Sequence, residues 1–205
     1  RASLPGNDVI DMPLDAKDTL WVTTPNAALP RRVDGHFQPW KIPGIAGAGI
    51  HDILEDSDGN LWIASLTAGL FKISGQQVTR FSTKDGLSSN EIISLYEDRA
   101  GNIWVGTNEG GLDRFRNGSF TSYSRENGLA GDRTYSVMED HAGDIWVTTP
   151  AGLNQLHGDR FRVFTTADGL PTNDVWALAE DHQQNLLIGT ARNGLAKISD
   201  GHVVP

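Results

Sequence analysis

Polar side chains recur in the sequence at a spacing that could place them around one binding surface. At intervals of 41 to 42 residues the chain carries the set Asn7, Ala48, Asn90, Asp132 and Asn173. Amide and carboxylate groups repeated at one level of a fold could form a hydrogen-bonding rim for a polar ligand such as a sugar. The same residue types also cap loops by accepting hydrogen bonds from nearby backbone N–H groups. The sequence leaves both interpretations open for this ring of residues.

The residues that follow the ring differ from one interval to the next, as an asymmetric ligand requires. Directly after the ring positions come four charged residues, Asp8, Glu91, Arg133 and Asp174. Three residues after the ring positions come His51, Ile93, Tyr135 and Trp176. The tyrosine and tryptophan rings could stack on a sugar or fill gaps between packed sheets. We therefore predict a ligand site of nine residues: Asn7, Asn90, Glu91, Asp132, Arg133, Tyr135, Asn173, Asp174 and Trp176.

Catalytic and metal chemistry has little support in the sequence. His141 and His182 occupy equivalent turns of the repeat described below, and we predict that no histidine converges with a carboxylate to form a general-base site. The run 56–60 begins like a calcium loop, but its twelfth position is Thr67, where such a loop needs a bidentate Glu. The chain has no Cys, which excludes thiolate metal sites and cysteine nucleophiles. We expect no enzymatic activity, no metal and no cofactor.

Charge and composition exclude further classes of function. The 205-residue chain has 17 basic and 26 acidic residues and a net charge of −9, whereas proteins that bind a phosphate backbone carry basic stripes. We therefore expect no nucleic-acid partner. No apolar run approaches about 18 residues, so any membrane attachment is expected from segments outside this sequence. The chain starts at Arg1 and has no signal-peptide core, so we expect it to be a mature or cropped piece of a longer protein.

The spacing of the candidate residues follows an internal repeat. Trp21, Trp62, Trp104 and Trp146 lie 41, 42 and 42 residues apart, and Leu187 continues the series, so these five are named the anchor positions. Each anchor is followed by a step of a small residue and Leu, with the Leu seven or eight residues after the anchor. Six residues before each anchor stands an Asp, which is best explained as a cap of a tight turn: Asp15, Asp56, Asp98, Asp140 and Asp181.

Local chemistry indicates that each repeat is a four-stranded antiparallel blade of an all-β propeller. Short segments rich in β-branched and aromatic residues are bounded by turn residues, and no segment of ten or more residues carries a helical period. In the third repeat we predict strands A to D at about 91–97, 102–107, 111–116 and 119–124. The anchor Trp on strand B is expected to pack between adjacent blades. Treating the chain, 1–205, as one propeller segment places its five blades at about 1–42, 43–84, 85–126, 127–167 and 168–205.

Three runs of the third repeat resemble the two-component regulator propeller repeat. They combine a Gly-Leu step, a Glu-Asp step followed by Gly-Asn-x-Trp, and a second Gly-Leu step: Asp85–Asn90, Glu97–Thr107 and Gly110–Phe115. The resemblance covers nearly the whole chain. The first repeat departs from the pattern because Leu14 stands in place of Glu, and the last repeat departs from it because it lacks the Trp.

The resemblance implies a sensory role. Propellers of this family form the extracytoplasmic, usually periplasmic, input domain of membrane-bound bacterial sensors, whose outputs are histidine kinases or diguanylate cyclases, and many are linked to carbohydrate. They usually form rings of about seven blades, so we expect these five repeats to be part of a larger propeller. The expected partners are a small molecule or an oligosaccharide, together with either the remaining blades or another copy of the chain.

Two alternatives stay open at this point. A propeller lyase of the streptogramin-lyase type would need a cluster of His and metal at the propeller axis. A non-catalytic protein-interaction scaffold would show an exposed apolar patch on one face in place of a polar axial pocket.

Overall fold

The computed structural model describes residues 9, 10, 12, 14, 19–23, 29–33, 35–40, 45, 49–199 and 201–204. These residues form five antiparallel sheets that follow one another in chain order, here named sheets 1 to 5. Sheet 1 consists of β1 (Leu29–Val33) and β2 (His36–Trp40). Isolated bridges from Leu14 to Leu20 and from Trp21 to Arg31 continue sheet 1 in the same antiparallel sense.

Sheets 2 to 5 each contain four strands in simple up-and-down order. Sheet 2 contains β3 (Ile50–Glu55), β4 (Leu61–Ser65), β5 (Leu70–Ser74) and β6 (Gln77–Phe81). Sheet 3 contains β7 (Ile92–Glu97), β8 (Ile103–Thr107), β9 (Leu112–Arg116) and β10 (Ser119–Tyr123). Sheet 4 contains β11 (Ser136–Glu139), β12 (Ile145–Thr149), β13 (Gly152–His157) and β14 (Arg160–Phe164). Sheet 5 contains β15 (Val175–Glu180), β16 (Leu186–Thr190), β17 (Leu195–Ser199) and β18 (His202–Val204).

The first strands of sheets 2 to 5 lie innermost, because each of β3, β7, β11 and β15 contacts the next one in turn. The predicted strands of the third repeat agree with the observed ones to within one residue at each end. Short 3₁₀ helices connect successive sheets at Thr83–Asp85, Arg125–Asn127 and Thr166–Asp168. Each begins with a capping Ser or Thr and ends at a Gly with positive φ, as the repeated Gly-Leu step requires.

Apolar side chains fill the spaces between neighbouring sheets. Each of four clusters joins the anchor and the strand-C Leu of one sheet to the first two strands of the next. Between sheets 3 and 4, for example, Trp104 and Leu112 pack on Leu129, Val137 and Val147. The prediction that the anchor Trp packs between blades is therefore confirmed.

The repeated Asp caps the turn that follows the inner strand, as predicted. In sheet 3 the Asp98 carboxylate accepts hydrogen bonds from the backbone N–H groups of Ala100 and Asn102 at 3.0 and 2.9 Å. It also accepts one from the Trp104 indole N–H at 2.8 Å, so the turn Asp holds the anchor ring in place. In sheet 2, burial alone would raise the pKa of the Asp56 carboxyl. Hydrogen bonds from Trp62 and Asn60 nevertheless bring that pKa below its usual value.

Candidate functional site

The starts of the inner strands lie beside the loops that join the second and third strands of each sheet. Backbone hydrogen bonds fix this arrangement, since the N–H of Asn108 donates to the carbonyl of Glu91 at 2.9 Å. In sheet 5 the N–H of Ala191 donates in the same way to Asp174, at 3.1 Å. Within each of these two sheets, the loop after the second strand therefore meets the start of the inner strand.

A cavity of about 560 Å³ opens at this end of the inner strands. Its volume lies in the range typical of small-molecule sites, roughly 300–1,000 Å³. Side chains from four successive sheets line it: His51, Leu66, Glu91, Ile93, Asn108, Arg133, Tyr135 and Trp176. Four of the nine residues predicted from the sequence, Glu91, Arg133, Tyr135 and Trp176, are thus brought together at this cavity.

Irregular pairing at the starts of the inner strands positions several of these side chains. The register between the first two strands shifts at Ile50/Asp52, at Ile92/Ser94 and at Val175/Ala177. The residues at the three shifts are His51, Ile93 and Trp176, and all three line the cavity. A β-bulge turns a side chain away from the alternation of a regular strand, which explains why the same position faces the cavity in each sheet.

Two tilted aromatic rings and a guanidinium group contact one another at the cavity. The ring centroids of Tyr135 and Trp176 are 5.3 Å apart, and the Arg133 guanidinium lies 5.2 Å from the Tyr135 centroid. The indole N–H of Trp176 donates to Asp174 Oδ1 at 2.9 Å, which orients the tryptophan ring. Trp176 is nevertheless 55% exposed, so a large part of this ring is available to a ligand.

The cavity carries groups of both charge signs beside an apolar surface. Glu91 is exposed and accepts a hydrogen bond from Asn108 Nδ2 at 2.7 Å. Arg133 is also exposed, and no carboxylate among the described residues forms an ion pair with it. Leu66 and Ile93 supply apolar wall. The site can therefore donate to and accept from a polar ligand while an aromatic face contacts the ligand's ring.

The ring of Asn and Asp residues is engaged in capping in the described sheets. Asn90, Asp132 and Asn173 accept hydrogen bonds from the backbone N–H groups of Thr83, Arg125 and Thr166, at 3.0, 2.8 and 2.8 Å. Each bond holds the start of the preceding 3₁₀ helix, and none of the three residues lines the cavity. Asp174 supports Trp176 as described above. Asn7 lies outside the described residues.

Sequence reasoning did not assign four of the lining residues to the site. His51 and Ile93 stand at the same repeat position as Tyr135 and Trp176, so this shared phase was an available signal. Leu66 and Asn108 follow directly after the second strand, and only the backbone contact with the inner strand brings them to the cavity. The position of these four residues in the repeat therefore indicates that they belong to the site, whereas their residue types do not.

Two histidines pair with carboxylates, although the prediction concerned a general-base site at a common centre, which these pairs do not form. His141 Nδ1 lies 2.5 Å from Glu180, and His157 Nδ1 lies 2.5 Å from Asp144. Both pairs lie at the opposite ends of the inner strands from the cavity, where they join turns to neighbouring strands. Within the described ranges, no group of three or more His, Asp or Glu side chains could hold a metal ion.

Three segments of the chain, residues 44–67, 86–109 and 169–192, match the family described as Two component regulator propeller. Three of the repeats thus match this family, which confirms the resemblance drawn from the residues. No curated protein matches the chain. None of the helices in the described part of the chain is both long and apolar enough to cross a membrane.

Solved propeller structures superpose on the chain. The extracellular domain of the putative hybrid two component system BT3049 from B. thetaiotaomicron matches with a TM-score of 0.84 and 22% identity, over 95% of this chain and 28% of its own. The extracellular domain of the putative one component system BT4673 from B. thetaiotaomicron matches with a TM-score of 0.77 and 19% identity. This match covers 97% of this chain and 31% of that domain. Virginiamycin B lyase from Staphylococcus aureus matches with a TM-score of 0.79 and 13% identity. This match covers 98% of this chain and 71% of the lyase.

The chain spans less than a third of the length of the first two of these relatives. At these identities the likenesses concern the fold. They confirm that the chain is a segment of an all-β propeller built from four-stranded antiparallel blades.

Proposed function

We propose that this chain is the ligand-binding part of an extracytoplasmic sensor propeller and that it performs no chemistry itself. The observation that carries the proposal is the convergence of Glu91, Arg133, Tyr135 and Trp176 from three successive sheets on one cavity. These residues differ between repeats, whereas the residues that hold the sheets together recur. The family match and the extracellular sensor domains among the structural relatives support the sensory assignment.

The chemistry of the cavity favours a neutral or weakly acidic oligosaccharide as ligand. Sugar rings present an apolar face of C–H groups and a rim of hydroxyl groups. The exposed face of Trp176, next to Tyr135, suits the apolar face of the sugar. Glu91, Asn108 and Arg133 provide hydrogen-bond acceptors and donors for the hydroxyl groups. The guanidinium of Arg133, which forms no ion pair with any carboxylate of the described residues, also suits a carboxylate substituent on the sugar.

The place of the chain in the cell is part of the same proposal. We infer a periplasmic sensor whose kinase or cyclase output and membrane anchor lie in other segments of the parent protein. Ligand binding at the mouth of the cavity would stiffen the contacts among sheets 2, 3, 4 and 5, because its lining residues belong to these separate sheets.

A thermal-shift screen with a panel of neutral and uronic-acid oligosaccharides tests the ligand class. A ligand present at about 100 times its dissociation constant stabilises the folded state by about 2.7 kcal/mol, which is readily measured as a rise in Tm. Trp176→Ala and Arg133→Gln should abolish the rise. Arg160→Gln is the matched control, because Arg160 is an exposed arginine on the outer strand β14, outside the cavity lining.

Absence of any shift across the panel would contradict the carbohydrate assignment. A shift that survives in both cavity variants would place the ligand elsewhere on the propeller.

A further inference from the structure

Hydrogen bonds join neighbouring sheets at three junctions, named here junction 2/3, junction 3/4 and junction 4/5 after the sheets that meet. The end of the inner strands opposite the cavity is named the turn end. There, the Glu that ends the inner strand of one sheet accepts a hydrogen bond from a backbone N–H in a turn of the preceding sheet. The donors and acceptors, at 2.8, 2.7 and 3.1 Å, are Ser57 and Glu97, Arg99 and Glu139, and His141 and Glu180.

At the cavity end, backbone hydrogen bonds also join sheet 2 to sheet 3 and sheet 3 to sheet 4. The N–H of Gly69, in the loop between β4 and β5, donates to the carbonyl of Asn90 at 2.9 Å. The N–H of Gly111, in the equivalent loop of sheet 3, donates to the carbonyl of Asp132 at 2.7 Å. Junctions 2/3 and 3/4 are therefore held at both ends of the inner strands.

The Thr134 side chain strengthens the cavity end of junction 3/4. Its buried hydroxyl accepts from the N–H of Thr107 at 2.8 Å and donates to the carbonyl of Gly111 at 3.0 Å. The equivalent residue of sheet 5 is Val175, which has no hydroxyl group and can make neither of these two bonds.

Junction 4/5 has no hydrogen bond at its cavity end. The loop between β12 and β13 is one residue short, since Leu153 comes seven residues after Trp146 and the equivalent Leu of sheets 2, 3 and 5 comes eight residues after its anchor. Gly152 has φ of +147°, in place of +85° at the equivalent glycines of sheets 2 and 3. Among the described residues, the hydrogen bonds between sheets 4 and 5 all run from His141 to Glu180.

Apolar packing is also weakest at junction 4/5, at one position of the outermost strand. Phe120 of sheet 3 contacts Phe81 of sheet 2, with ring centroids 5.6 Å apart. Phe161 of sheet 4 contacts Tyr123 of sheet 3 at 5.8 Å. The equivalent residue of sheet 5 is Val203, which packs on the same cluster but has no ring. Because Val buries less apolar area than Phe, junction 4/5 gains least from this position.

The aromatic contact that spans junction 4/5 is the one at the cavity. Tyr135 directly precedes β11 of sheet 4 and Trp176 lies in β15 of sheet 5, and their ring centroids are 5.3 Å apart. Trp176 is 55% exposed, so surrounding side chains do not enclose this contact. Sheet 5 is therefore fastened to sheet 4 by hydrogen bonds at the turn end alone.

We propose that junction 4/5 is a hinge. Sheet 5 tilts about the contact between His141 and Glu180 while sheets 2 to 4 stay together, and the tilt moves Trp176 towards or away from Tyr135. The hinge thereby sets the width of the cavity. This inference does not depend on which ligand the cavity binds, because it concerns how the sheets are joined.

Amide hydrogen exchange in the protein without added ligand compares the junctions directly. A hydrogen-bonded amide exchanges when its junction opens, so its protection factor, which corrects for residue type, measures how readily opening occurs. Arg99 and His141 donate the equivalent turn-end bonds of junctions 3/4 and 4/5. We expect the protection factor of His141 to be lower than that of Arg99 by at least about tenfold, the effect of losing one or two hydrogen bonds.

Thr134→Val gives junction 3/4 the residue found in sheet 5. It should lower the protection factor of Arg99 towards that of His141. The matched control is Thr148→Val, because Thr148 is equally buried and its hydroxyl accepts from the Ser136 N–H at 2.9 Å within sheet 4. The control should leave the protection factor of Arg99 unchanged.

A variant at the turn end tests the link to the cavity. The Arg99 Nε lies 3.1 Å from Glu139, and its guanidinium also donates to the carbonyl of His141 at 3.2 Å. His141→Arg copies this stronger fastening. Hinge motions occur on the μs–ms timescale, so NMR relaxation dispersion is expected at the Trp176 indole N–H and should diminish in His141→Arg. Trp104, buried between sheets 3 and 4, is the reference and should show none.

Equal protection of Arg99 and His141 would overturn the proposal. So would equal responses of Arg99 to Thr134→Val and to Thr148→Val, because the hydroxyl bonds across junction 3/4 would then not hold the sheets together. Dispersion at Trp176 that is unchanged in His141→Arg would show that the ring moves by itself, without the tilt of sheet 5, and would overturn the proposal as well.

Discussion

The two ends of the inner strands differ in what they repeat. At the turn end, Asp56, Asp98, Asp140 and Asp181 each accept a hydrogen bond from the backbone N–H four residues later, at 2.7 to 2.9 Å. At the cavity end, the side chains at the bulge position differ in kind from sheet to sheet. The repeated end holds sheets together, and the variable end presents different chemistry around one cavity. Residue types that recur in every repeat therefore hold the sheets together, and the position where the residue type changes between repeats lies at the candidate site.

The largest expected effect comes from breaking a repeated position. Trp104→Ala removes a ring that is buried between sheets 3 and 4 and leaves its Asp98 hydrogen bond unmade. A substitution of this kind costs about 3–5 kcal/mol in the free energy of unfolding. Urea denaturation measures it. If the variant were as stable as the parent, the anchor positions would not be the main packing element.

A smaller loss is expected where a glycine is required by close contact. At Gly111, with φ of +85°, a Cβ would lie 2.1 Å from the carbonyl oxygen of Tyr123. Gly111→Ala should therefore destabilise the fold by about 2–4 kcal/mol, through strain and displaced backbone. The control is Gly101→Ala, where φ is similar at +76° but nothing lies within 4 Å. There the expected loss is about 1 kcal/mol, and equal losses would refute the importance of the contact.

A pH-dependent effect is expected at the buried Asp113. Its carboxylate accepts hydrogen bonds from the Ser88 backbone N–H at 3.0 Å and from the Ser88 hydroxyl at 2.8 Å, yet burial raises its pKa above the ordinary 3.8. The folded state thus holds this proton more tightly than the unfolded state. The contribution of Asp113 to stability is full below pH 3.8 and is lost as the pH rises through the folded-state pKa.

Asp113→Asn should therefore stabilise the protein at pH 7 relative to the parent, with the gain shrinking towards pH 4. The next sheet supplies a natural precedent, because Asn154 stands at the equivalent position and accepts from the Ala130 N–H at 2.8 Å. Urea denaturation at the two pH values measures the effect. A stability loss in the variant that grows as the pH rises would contradict this account, because it would show that the carboxylate is needed as an anion.

The smallest effect on stability is expected at the variable end. Trp176→Ala removes an exposed ring, so the free energy of unfolding should fall by less than about 1 kcal/mol. Urea denaturation alongside Trp104→Ala compares the two tryptophans directly. A loss at Trp176 as large as that at Trp104 would mean that this end is scaffold too.

The repeated features of the fold could be predicted from the sequence because the same residue types recur at the same positions in several repeats. The anchor Trp, the turn Asp and the strand bounds of the third repeat follow from local residue types and phase. The site was only partly predictable. Asn90 is chemically suited both to cap a loop and to bind a ligand, and only the position of the Thr83 N–H, which comes from the folding of the preceding loop, decides its contact.

The remaining features that the sequence did not predict depend on contacts between strands or between sheets. The pairing of His141 with Glu180 joins residues 39 apart in the sequence, and depends on how two sheets stack. The bulges that direct His51 and Trp176 to the cavity depend on strand pairing. Neither has a local signature in the residues themselves.

The most direct test of the ligand site is a titration followed by the indole N–H resonances of the tryptophans in an NMR spectrum. With the oligosaccharide that gives the largest thermal shift, the Trp176 resonance should move saturably. The resonances of Trp62, Trp104 and Trp146, which are buried and bonded to the turn Asp residues, should stay in place. Saturable binding that leaves Trp176 unmoved would contradict the assignment of the variable end as the ligand site.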